Sequence, residues 1–209
     1  MIAIVDYKAG NLTSVERAVR HLGRPVVISH QPEVLKGAER IIFPGVGAAG
    51  QAMTDLVALG LDAVLREAFA AGIPILGICL GTQIIFSASD ENDATCLGLL
   101  PGRVRAFPDP LFEGGERLKI PHMGWNQVRF VRQHPVFAGL APEHEFYFVH
   151  GYYPEVAPEA ADAVVGVTRY GIEVTSAVAK DSLVAVQFHP EKSGPAGLAI
   201  LDNFCRWRP

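Results

Sequence analysis

The chain has no apolar run long enough to cross a bilayer, and its start lacks a basic segment followed by an apolar core. No membrane span and no export signal are therefore expected. Cysteine is scarce: three residues, Cys79, Cys96 and Cys205, with no C-x-x-C pair, give neither a disulfide framework nor a zinc site. A reducing cytoplasm suits such a chain. Charge is also sparse, at 19% of residues and a formal net of −4, so no general attraction to nucleic acid or anionic membrane is expected. There is no Walker A loop, no dinucleotide fingerprint and no basic phosphate patch, and no cofactor or metal is expected. Repeats, low-complexity tracts and linkers are absent too. What remains is an apolar chain of 209 residues, 49% hydrophobic, long enough to bury a substantial core.

The chemistry begins in the stretch Pro74 to Phe86. Ile75-Leu76-Gly77-Ile78 has the length and composition of a buried parallel strand, and it stops at Cys79. Past Gly81, Gln83, Ile84, Ile85 and Phe86 continue at helical spacing. Gly77-Ile78-Cys79-Leu80-Gly81 is then a strand-to-helix turn of G-x-C-x-G form, the thiol counterpart of a nucleophile elbow. A sulfur at a helix N-terminus is favoured as thiolate. The cysteine alone would better suit a small buried core residue; the two glycines reverse that in favour of the elbow. Near the other end, Val184, Val186 and Phe188 alternate with Ala185, Gln187 and His189, so a strand is expected to deliver His189 to its end. Pro190 fixes the backbone before Glu191, placing a carboxylate beside the imidazole. Cys79, His189 and Glu191 make a nucleophile, base and orienter set.

Elsewhere, Ile2 to Val5 is a short strand, followed by a Gly10-Asn11 turn and a helix with Asn11 at its N-cap; Pro25 to Ile28 and Arg40 to Phe43 are further strands. The latter runs into a Pro44-Gly45-Val46-Gly47 loop. Leu56 to Ala71 is helical, interrupted near Gly60. Strands alternating with helices imply a mostly parallel central sheet covered by helices on both faces, an α/β fold with reactive groups at the strands' carboxyl ends. After about Glu91, Pro, Gly and β-branched or aromatic residues point to short antiparallel strands in Leu97 to Phe107, Leu118 to Val131 and Glu145 to Val156, and to a turn at Tyr170-Gly171. A last helix from Pro195 is expected to carry Leu198, Leu201 and Cys205 on its buried side, with Cys96 at a strand edge.

G-x-C-x-G with a later His189-Pro190-Glu191 resembles the class I, triad-type glutamine amidotransferases, whose sheet is flavodoxin-like. Leu118 to Asn126, with its Pro121-His122-Met123-Gly124-Trp125-Asn126 core, and Tyr147 to Tyr152 narrow the resemblance. Together with Asp6 to Leu12 and Pro44 to Gly47, they are similar to the amidotransferase subunit of imidazole glycerol phosphate synthase. The likeness spans the chain, which implies one amidotransferase domain over residues 1–209. It implies hydrolysis of L-glutamine through a glutamyl thioester, with oxyanion donors from the N–H groups of Leu80 and of the Val46-Gly47 loop. It further implies substrate contacts from Gln83, Glu91 and the Gly151-Tyr152 backbone. Many such proteins have Ser or Thr at the position of Gly151, so a hydroxyl is missing here while a backbone contact survives. Without the resemblance, Gln83 and Glu91 suit solvated surface positions.

Ammonia in neutral water is mostly protonated, so the resemblance also implies a closed path to a partner. That partner is the cyclase subunit of imidazole glycerol phosphate synthase, a (β/α)8 barrel in a heterodimer, with Asn11, Trp125, Tyr147 and Lys192 at the interface. Trp125 suits a core aromatic equally well. The resemblance further implies control by the partner and its nucleotide, through a loop whose Val46 N–H turns toward or away from the oxyanion. The competing expectations are the glutaminase subunit of another ammonia-using synthase, one making anthranilate or pyridoxal phosphate, a cysteine hydrolase of the same topology, or a docking scaffold with an idle triad.

Overall fold

A computed structural model describes residues 1–209. Its first half alternates strands with helices, two of them between β3 and β4: β1 (Ile2–Val5), α1 (Leu12–His21), β2 (Val26–Ser29), α2 (Pro32–Lys36), β3 (Arg40–Gly45), α3 (Ala49–Ala58), α4 (Leu61–Ala70), β4 (Ile75–Cys79) and α5 (Leu80–Gln83). Short strands follow: β5 (Ala88–Ser89), β6 (Ala94–Thr95), β7 (Gly102–Ala106), β8 (Leu111–Glu113), β9 (Glu116–Leu118), β10 (His122–Gln127), β11 (Arg129–Phe130), β12 (Glu145–His150) and β13 (Tyr152–Val156). The chain then returns through β14 (Val164–Tyr170), β15 (Ile172–Lys180), β16 (Leu183–Val186) and α6 (Gly194–Arg206).

Eight strands form the main sheet in the order β11-β14-β15-β16-β4-β3-β1-β2. From β16 to β2 neighbouring strands are parallel, and β15, β14 and β11 extend the edge antiparallel. Alternation within each strand explains why both faces are covered. Ala3 and Val5, Ile41 and Phe43, and Ile75 point into a core built with α3 and α4; Ile2 and Ile4, Ile42, Leu76 and Ile78 point into the opposite core, built with α1 and α6. Gly60, at φ 68°, separates α3 from α4. The antiparallel elaboration adds β10 to β12 and a small sheet β13-β7-β5-β6.

Four expectations are corrected. The helix after Cys79 is one turn, ending at Gln83, and Ile84, Ile85 and Phe86 are wholly buried on leaving it. A segment buried on all sides has no polar face to reveal its period. The buried side of α6 is Ala196, Gly197, Ile200, Leu201 and Phe204, with Leu198 and Cys205 at its margin. Cys96 lies past β6 and is buried, with its thiol against the Ala94 carbonyl. Pro44 and Gly45 belong to β3, paired with Ile78 and Cys79, so the loop shrinks to Val46-Gly47 and Ala48.

Candidate active site

The parallel register of β3 and β4 sets Gly45 beside Cys79 at the carboxyl ends of two central strands. Cys79 has φ 55° and ψ −107°, a positive φ that a side chain adopts only under strain, as a nucleophile elbow requires. Its flanking glycines are imposed by packing. A methyl on Gly81 would overlap the Phe43 carbonyl oxygen, and one on Gly77 would come within 2.9 Å of the Ala185 methyl. Gly45 is equally constrained, because a methyl there would overlap the Tyr7 hydroxyl. The turn beyond it carries Gly47 at φ 108°, and Val46 is half-exposed. Leu80 opens α5 beside this turn, its Cβ 3.2 Å from where a methyl on Gly45 would stand.

His189 and Glu191 meet Cys79 from the far side. β16 ends at Val186, three residues short of His189; an extended segment continues, tied by His189 N–H donating to the Tyr147 carbonyl (2.9 Å). A 3-10 turn over Pro190–Lys192, rather than a shared strand face, brings the Glu191 carboxylate to His189 Nδ1 at 2.8 Å. Both side chains are fully buried. The same Glu191 oxygen accepts from Asn11 Nδ2 at 2.6 Å. Asn11 stands at the cap position of α1 but makes no side-chain cap bond, because its amide is turned to Glu191. His189 Nε2 has no hydrogen bond of good geometry, yet Cys79 lies near enough to act on the ring. Burial lowers the proton affinity of His189, but Cys79 and Glu191 outweigh it and raise the pKa to about 9. A ring so poised takes a thiol proton readily.

Gln83 is buried against expectation for a surface amide, and its Nε2 donates to the Tyr152 carbonyl (3.0 Å) and to Gln187 Oε1 (3.1 Å). Gln187 in turn donates toward Cys79 Sγ at 3.9 Å. The structure therefore unites Gln83, Tyr152 and Cys79, and adds Gln187, which alternation marked only as the neighbour of His189. Gly151 faces open space, so a hydroxyl-bearing side chain would fit there. Glu91 is engaged elsewhere: its carboxylate accepts the Ala49 N–H at 2.7 Å, capping α3, and no hydrogen bond joins it to the elbow or to Gln83. Trp125 and Tyr147 pack edge to face at 6.0 Å, with Lys192 Nζ 5.9 Å over the Tyr147 ring. Trp125 and Met123 are 54% and 63% exposed, so Trp125 is a surface aromatic and not a core one. Cys96 and Cys205 are pushed up to about 11 by burial, leaving Cys79 as the thiol with chemistry around it. No cluster of metal-ligating side chains is present, and no helix is long and apolar enough to cross a membrane.

Residues 3–207 match the family model described as glutamine amidotransferase class-I. An imidazole glycerol phosphate synthase subunit HisH from Nitratidesulfovibrio vulgaris is 53% identical over 208 residues, covering 99% of this chain and 96% of that protein. The subunit of the same name from Nitrosospira multiformis is 48% identical over 100% of this chain and 98% of its own length. Among solved structures, PurLQS from Thermotoga maritima superposes with a TM-score of 0.74 at 17% identity, covering 98% of this chain and 97% of that one. The glutaminase domain of Trypanosoma brucei CTPS with bound acivicin does so with 0.65 at 19% identity, covering 100% and 96%. At such identities these two speak to the fold alone.

Proposed function

The chain belongs to the class-I glutamine amidotransferase family, and from that premise we propose that it hydrolyses L-glutamine as the glutaminase subunit of an imidazole glycerol phosphate synthase. The observation that carries this is end-to-end identity of about half to subunits of that name, with Pro121 to Asn126 and the Cys79, His189 and Glu191 set all present.

Cys79 attacks the side-chain carboxamide while His189 Nε2, the nitrogen left without a partner, accepts the thiol proton. Glu191 holds Nδ1–H and so fixes the tautomer, with Asn11 steadying the carboxylate. The Leu80 N–H and one from Val46 or Gly47 receive the oxyanion. His189 then protonates the departing ammonia, and water cleaves the glutamyl thioester to glutamate. Gln83, Glu91 and the Gly151-Tyr152 backbone bind the amino-acid end of the substrate; for Glu91 this requires release or sharing of its α3 contact.

Ammonia passes to a cyclase subunit, a (β/α)8 barrel that forms a heterodimer with this chain over Asn11, Trp125, Tyr147 and Lys192. The exposure of Trp125 and Met123 supports that face. There ammonia reacts with a phosphoribulosyl-formimino aminoimidazole carboxamide nucleotide, giving imidazole glycerol phosphate for histidine synthesis and a carboxamide nucleotide. Three unpaired cysteines suit work in the cytoplasm.

The test is glutamate release by the chain alone, with a co-purified cyclase subunit, and with subunit plus nucleotide. One missing oxyanion donor is worth about 10² to 10³ in rate, so stimulation of that order is expected if the Val46 N–H is turned away in the isolated chain. Equal rates in all three would remove the loop as a switch, and no complex with the cyclase would remove the assignment to this synthase.

A further inference from the structure

Two histidines outside the triad lie opposite each other in the β10 and β12 pair, their rings edge to face at 5.1 Å. His122 and His150 are register partners, both buried, between Phe148, Tyr170 and Phe107. Their hydrogen bonds assign every proton. The Tyr152 carbonyl only accepts, so His150 Nδ1, 2.8 Å away, carries a hydrogen. In a neutral ring Nε2 is then an acceptor, and it receives Nδ1–H of His122 at 3.1 Å. His122 Nε2 accepts in turn from Asn126 Nδ2 at 3.3 Å, an amide that also donates to the Arg169 carbonyl. Protonating His150 would set a donor against the Nδ1–H of His122. Burial opposes that charge, lowering His122 to about 4 and His150 to about 3, the latter against the Tyr152 hydrogen bond and with help from the neighbouring His122 and His189.

The Tyr152 carbonyl is also where Gln83 donates, and the second Gln83 amide hydrogen goes to Gln187. Gln83 can therefore offer a ligand only its Oε1, an acceptor suited to the N–H groups of an amino acid. We propose that His122 and His150 are positioning residues for the glutamine pocket. The one-way chain Asn126, His122, His150 holds the Tyr152 carbonyl, which in turn fixes the face that Gln83 presents. The proposal rests on the glutaminase reading above. It also ties the pocket to β10, whose other face carries Met123 and Trp125.

The experiment compares glutamine kinetics of His150→Phe and His150→Asn in complex with the cyclase subunit, with co-elution of the two chains on gel filtration reporting assembly and ammonium-supported turnover reporting a competent cyclase. Phenylalanine keeps the ring volume but removes the His150 donor, leaving the Tyr152 carbonyl to Gln83 alone; loss of one buried hydrogen bond on the binding path corresponds to a KM about tenfold higher, with kcat within about threefold. Asparagine, whose Nδ2 stands near the lost Nδ1–H, should bring KM back to within about threefold of the parent. A wild-type KM in an assembled His150→Phe complex overturns the proposal. A second measurement needs no variant: long-range ¹H–¹⁵N correlation on the parent complex should show both rings as Nδ1–H tautomers that do not titrate between about pH 6 and 8. Either ring as the Nε2–H tautomer, or titrating in that range, overturns it even if His150→Phe fails to assemble. A parent complex that uses ammonium but not glutamine would instead sink the glutaminase reading, and the ring spectra would still decide the chain.

Discussion

At the scale of single residues, the Cys79, His189 and Glu191 set was readable because each of its two separate pieces carries a local signature. G-x-C-x-G declares a turn through its glycines, and His189-Pro190-Glu191 places two groups within one short segment. Gln187, Asn11 and Tyr7 were not readable in these roles, since their partners Cys79, Glu191 and Gly45 lie in distant segments and are chosen by the fold. In its proposed role Glu191 orients His189 through the 2.8 Å contact to Nδ1 and does not react, so Glu191→Gln should lower kcat by up to roughly 10⁴, as for a comparable triad carboxylate, without abolishing turnover. An unchanged rate in a steady-state assay would remove it from the triad. The buried histidines also set an acid limit. His122 and His150 have folded pKa values below the unfolded value near 6.5, so the unfolded chain binds more protons as pH falls. Stability should be lost from about pH 6.5 down toward 4, by at most about 1.4 kcal/mol per ring per pH unit. His189 has the opposite sign: raised to about 9, its contribution is full below about 6.5 and lost as pH rises through 9. Thermal unfolding midpoints should thus fall between pH 6.5 and 4.5; flat midpoints there would mean that the two rings are not held neutral.

At the scale of elements, the elbow depends on close backbone approach. Gly81 leaves no room for a methyl against the Phe43 carbonyl, which belongs to the neighbouring strand and cannot swing aside as a side chain tip would. Gly81→Ala should therefore shift β3 from β4, costing about 1–3 kcal/mol or more, with glutaminase loss exceeding any loss of fold. Circular dichroism and glutamate release measured on one preparation check this; full activity would mean that the strand ends are looser than the register implies. The strands of the first half were legible because parallel core strands are continuous apolar runs and their helices carry clear breaks, such as Gly60. The one-turn α5 was not legible. Ile84, Ile85 and Phe86 are apolar for burial on all sides, which imitates a continuing helix. Glu91 likewise looked like a solvated or substrate-binding charge, and the structure uses it to cap α3, a tertiary contact with no local signature.

At the scale of the whole molecule, the proposed function draws on two features: the Cys79, His189 and Glu191 cluster at the carboxyl ends of the central strands, and an exposed apolar face of Trp125 and Met123 with Tyr147 packed against Trp125. The chain hydrolyses glutamine, and the proposed function divides the synthase activity between this subunit and a cyclase partner. On that reading the Cys79 thiol serves the first reaction alone. The most direct test is therefore Cys79→Ala in complex with the cyclase subunit, assayed for imidazole glycerol phosphate with glutamine and, separately, with an ammonium salt. The division of labour predicts no product from glutamine and ammonium-supported turnover equal to that of the parent complex. Product from glutamine, or loss of both activities in a complex that still assembles, would contradict it.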